Sequence, residues 1–80
     1  MKNPEIICFL KDIIAKFKKN KNHALTEWDK IVYELADFLH LVVGNKDVYE
    51  KLSIIWFSSR MASQSLVILS LELLLETLED

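Results

Sequence analysis

Eighty residues with a formal charge of −2, 51% of them apolar and 28% charged, make one folding unit, exclude a disordered chain and give no global reason to expect nucleic acid. A chain this short buries only about 60–65% of the surface that its unfolded form exposes, so its core gains from a staple or a partner. One glycine and one proline are too few for a strand-and-turn protein or a phosphate-cradling loop, and the expected class is all-α, a small helical bundle.

The first helix is expected over about residues 4–19. Asn3 suits its N-cap, Pro4 its first position and Glu5 the positive end of the macrodipole. Ile6, Ile7, Leu10, Ile13, Ile14 and Phe17 recur at helical spacing and form its apolar face. The following "KKNKNH", Lys18 to His23, contains no apolar residue and reads as a loop.

A second helix is expected over about 26–43. Thr26 is the candidate N-cap, with Trp28, Ile31, Val32, Leu35, Phe38, Leu39 and Val42 as its buried stripe. Gly44 stands where a left-handed residue would close the helix. The short link beyond it makes the second and third helices antiparallel neighbours.

From Lys46 to Asp80 there is neither glycine nor proline. Two apolar series run through this segment at alternating steps of four and three. The first is Val48, Leu52, Ile55, Ser59, Ala62, Leu66, Leu69 and Leu73; the second is Ile54, Phe57, Met61, Ser65, Ile68, Leu71, Leu75 and Leu78. Unbroken phase favours a single helix over 46–79, about 50 Å long at 1.5 Å per residue. The alternative is an up-down four-helix bundle, broken within the serine-rich "SSRMASQS" of residues 58–65. Arg60, Gln64 and Glu72 interrupt the apolar run from Leu52 to Leu75 before it reaches the roughly 18 residues of a membrane span, so no span is expected.

The last segment carries apolar residues on two sides. Leu66, Leu69 and Leu73 form a narrow face, and Val67, Ile68, Leu71, Leu74, Leu75 and Leu78 a wide one. Glu72, Glu76 and Glu79 separate them along one edge. A two-sided helix must be covered twice. The narrow face is expected to meet the domain's own hairpin, and the wide face a second copy of the chain or another protein. Trp56 lies off both series and is a further candidate anchor.

Chemistry-bearing residues are sparse. Asp37 and His40 share a helix flank with Tyr33, but no Cys/His spacing supplies the three or four ligands of a zinc site. Cys8, the sole cysteine, falls on the polar side of the first helix without an identifiable base. No catalytic residue, metal site or cofactor is expected. The lone thiol, without a secretory signal, leads us to expect the cytoplasm. Lys16, Lys18, Lys19, Lys21 and His23 form the single basic cluster. Its choices are phosphates, an anionic membrane surface, or the acidic Glu72, Glu76 and Glu79 of a neighbouring subunit. The expected function is non-enzymatic protein–protein interaction, of the small inhibitor, immunity or adaptor type, with self-association into a dimer. Charged rim residues (Lys18, Lys19 and Lys21 against the glutamates) would supply selectivity. A nucleic-acid or anionic-surface binder is the alternative.

Overall fold

A computed structural model describes residues 3–22 and 25–79. They form helices α1 (Asn3–Asn20), α2 (Leu25–Leu41), α3 (Lys46–Ser58) and α4 (Gln64–Glu79). Each helix packs on two neighbours, in the cyclic order α1–α2–α3–α4, and α4 closes the ring against α1. Short links force successive helices to reverse direction, which gives the up-down bundle.

The N-terminal half follows its apolar periodicity. Ile6, Leu10, Ile13, Ile14 and Phe17 of α1 are buried, as are Trp28, Ile31, Val32, Leu35 and Phe38 of α2, with Val42 just beyond it. Phe9 stacks on Phe38 with ring centroids 4.5 Å apart, and Phe17 meets Trp28 at the same separation in a tilted arrangement. Aromatic pairs at such distances add about 0.5–1.5 kcal/mol beyond their area burial. Across the same pair of helices Lys16 Nζ reaches Glu34 Oε1 at 3.1 Å, and within α1 it meets Asp12 Oδ2 at 3.2 Å. The hydrogen bond to Glu34, then that to Asp12, holds the Lys16 ammonium above its ordinary range.

Two local expectations change. Helix α2 begins at Leu25, so Thr26 lies inside its first turn instead of capping it. Gly44 is not left-handed; among the described residues the positive φ belongs to Asn22, at 66°. Asparagine tolerates that conformation because its short side chain bonds locally. The α2–α3 reversal is instead built on hydrogen bonds from the Asn45 amide to the Val42 carbonyl (2.9 Å) and from the Val48 amide to Asn45 Oδ1 (3.3 Å). Asn45 thus caps α3. His23 and Asp80 lie outside the described residues.

The larger correction concerns the C-terminal segment. Residues 46–79 are two helices, and the longest dimension of the molecule is 33 Å, too short for a 50 Å rod. Ser59 ends α3: its hydroxyl donates to the Trp56 carbonyl at 2.5 Å, while its amide bonds to the Ile55 carbonyl at 2.8 Å. Ser63 starts α4, accepting the Leu66 amide on its hydroxyl at 3.2 Å and the Val67 amide on its carbonyl at 3.1 Å. Serine is a weak breaker by propensity but a strong N-cap, because its side-chain oxygen satisfies an amide that has no partner in the helix. Capping outweighs phase here. A further tie comes from the α1–α2 turn, where the Asn22 amide donates to Gln64 Oε1 at 2.9 Å.

Candidate interaction face

The break reassigns both apolar series. In the first, Val48, Leu52, Ile55 and Ser59 are buried, while Leu66, Leu69 and Leu73 are exposed. In the second the order is inverted: Ile54, Phe57 and Met61 are exposed, while Ile68 and Leu71 are buried and Leu75 and Leu78 pack half-buried against the core. Each series therefore serves the core on one helix and faces solvent on the other. Because α3 and α4 run antiparallel side by side, the two solvent-facing halves fall on the outer surface of one hairpin.

That surface is apolar and large. Its side chains are exposed by between 52% (Leu66 and Leu69) and 74% (Met61). Ile54 of α3 and Leu66 of α4 line a common groove of about 140 Å³, floored by Ile55 and Val67. Phe57 extends the α3 side at a step of three from Ile54, exposed Met61 follows in the turn, and Leu69 and Leu73 extend the α4 side at steps of three and four from Leu66.

The sequence-derived interface is consequently turned inside out. Val67, Ile68, Leu71 and Leu74 of the wide face are buried in the chain's own core, with Leu75 and Leu78 packed beside them. The narrow face, assigned to the core from sequence, is the solvent-facing one. The reason is geometric: a short α4 can turn its larger face to α1 and α3, and a rod could not. A legible signal for this was the run of small residues at 59–65, where Ser59 and Ala62 interrupt one series and Ser65 the other, with Met61 the one large member left.

The charged rim also closes within the chain. Lys18 Nζ meets Glu72 Oε2 at 2.9 Å and Lys11 Nζ meets Glu79 Oε2 at 3.2 Å, both across the α1–α4 seam. With Lys16 held by Asp12 and Glu34, Lys19 and Lys21 are the cluster's described lysines outside any ion pair. Glu76 is exposed and unpaired among the described residues, and it continues the Leu66–Leu69–Leu73 stripe at a step of three.

Trp56 is half-buried against the core instead of standing out as an anchor. The Arg60 guanidinium lies over its ring, 5.8 Å from the centroid. Its Nε1 is buried without a hydrogen-bond partner among the described residues. Trp56 and Arg60 line a separate cleft of about 440 Å³ with Trp28, Asp29 and Tyr33, between the ends of α2 and α3.

Cys8 is a free, exposed thiol on α1. Among the described residues no three His, Cys, Asp or Glu side chains converge as a metal-binding group, and no helix is long and apolar enough to cross a membrane. Fold and surface together define a small up-down helical bundle with an uncovered apolar hairpin face. Comparison with protein-family models, curated proteins and solved structures gives no match.

Proposed function

We propose that this protein is a non-enzymatic interaction module, of the small inhibitor, immunity or adaptor type, which docks the outer face of its α3–α4 hairpin on another protein surface. One observation carries the reading: Ile54, Phe57, Met61, Leu66, Leu69 and Leu73 of the α3–α4 hairpin and its turn are all large, apolar and more than half exposed, and Ile54 and Leu66 line one groove between the two helices. Scattered apolar side chains are ordinary on a monomer, but a contiguous patch of this kind is characteristic of an interaction site. Helix pairs offer such surfaces to partners as ridges spaced three and four residues apart. The cytoplasm, where a lone exposed thiol such as Cys8 stays reduced, is the proposed compartment.

The alternative, an anionic surface bound by the basic cluster, has less support. Lys16 and Lys18 already carry carboxylate partners, which leaves Lys19 and Lys21 as its free charges among the described residues.

A photo-crosslinking amino acid at Leu69, introduced in the source cell, tests the proposal. It should yield discrete protein adducts that the same group at exposed Asp37 does not. Equal labelling at the two positions, or none at Leu69, overturns it.

A further inference from the structure

The proposed docking face leaves its occupant open, and the size and chemistry of the face narrow the choice. A large apolar side chain presents on the order of 150–200 Å² when fully exposed. At exposures between 52% and 74%, the six side chains together present about 600 Å². That lies at the upper limit of the largest patch on a typical monomer, about 300–600 Å². It is also roughly a tenth of the total surface of 5220 Å², the share that a small protein commits to a specific interface. It supplies about three quarters of the roughly 800 Å² that each partner of a stable dimer buries, the share that the apolar centre of an interface provides inside its polar rim.

Charge and symmetry add a second constraint. A two-fold interface brings a surface against itself, so any charge near the axis meets its own copy and is repelled. None of the six side chains is charged, and Glu50, Lys51 and Glu76 lie outside the set. Five of the six side chains lie on the two antiparallel helices, Ile54 and Phe57 on α3 and Leu66, Leu69 and Leu73 on α4, with Met61 in the turn that joins them. With two-fold packing centred near Leu69, Leu66 of one copy lies opposite Leu73 of the other.

We infer that the occupant of the α3–α4 face is a second copy of the same chain, packed hairpin on hairpin about a two-fold axis. This rests on the face being the docking surface at all. Dimerisation buries in water-free contact the six side chains that the monomer leaves wet, and it leaves the wide face of α4 in the intramolecular core.

Sedimentation equilibrium of the full chain, from low to high micromolar concentration, tests the inference. The wild type should pass to dimer within that range. Leu69→Glu and Phe57→Glu should each hold it as monomer, and Tyr33→Glu on exposed α2 should not. A hot-spot residue contributes roughly thirtyfold in affinity, and each substitution enters a two-fold interface twice, so a loss of about a thousandfold is expected. Circular dichroism should show both monomeric variants fully helical, which separates loss of contact from loss of fold. A wild type that stays monomeric throughout overturns the inference, as does a dimer that persists in both variants. The crosslinking result distinguishes the two levels. Adducts at Leu69 to other proteins, with a monomeric wild type, remove the second copy and leave the docking face. An absence of adducts of any mass, with a monomeric wild type, removes both.

Discussion

Trp56 holds a buried indole N–H without an acceptor while its ring packs against the core and carries Arg60 on its face. A donor buried without a partner costs about 1–3 kcal/mol. Replacing the indole by a phenyl ring gives up apolar contact of comparable size, about 1–2 kcal/mol, but removes that donor. Trp56→Phe should therefore change stability by less than about 1 kcal/mol, read from the midpoint of chemical denaturation at constant slope. A loss above about 3 kcal/mol would mean that the N–H is satisfied in solution, by water in the adjoining cleft. The sequence showed that Trp56 stood apart from both apolar series. It could not show which neighbour takes the ring, because Arg60 reaches Trp56 only where α3 unwinds.

Helix α4 exists as a separate element because Ser63 gives it a start. The hydroxyl accepts the Leu66 amide, the contact that an N-cap makes with the third residue of its helix. Ser63→Ala should cost about 1 kcal/mol, whereas Ser65→Ala on the exposed first turn should cost little. Amide exchange should be fast at Ser63, Gln64 and Ser65, whose amides have no acceptor among the described residues, and slow within α3 and from Leu66 onward; continuous protection across 63–65 would restore the single rod. Much of the architecture was legible at this scale. Periodicity located α1 and α2 and nearly all of their buried residues, since one stripe against one core leaves no choice. The α3–α4 segment offered two stripes, and helical phase is preserved across a break as readily as along a rod. The deciding information lay in the hydrogen-bonding capacity of two serines, which propensity averages away.

For the whole molecule, the reversal of the α4 faces has a consequence opposite to the one the sequence suggests. Leu71 is fully buried among all-apolar neighbours, so Leu71→Glu places a carboxylate in the core of the monomer itself. Several kcal/mol is then lost, a large part of the total stability of an 80-residue domain. Leu69, two residues away and 52% exposed, faces outward, and Leu69→Glu leaves every core contact in place. Its effect on a dilute monomer should stay within about 0.5 kcal/mol. Concentration matters to this comparison, because anything that binds only the folded chain, a second copy included, raises apparent stability by mass action. Thermal unfolding should therefore be recorded for both variants at low and high protein concentration. Leu71→Glu should melt far below the wild type at both. Leu69→Glu should match the dilute wild type and fail to gain stability on concentration. The opposite pattern, with Leu71→Glu folded and monomeric and Leu69→Glu unfolded, would return the wide face to the surface and restore the long helix.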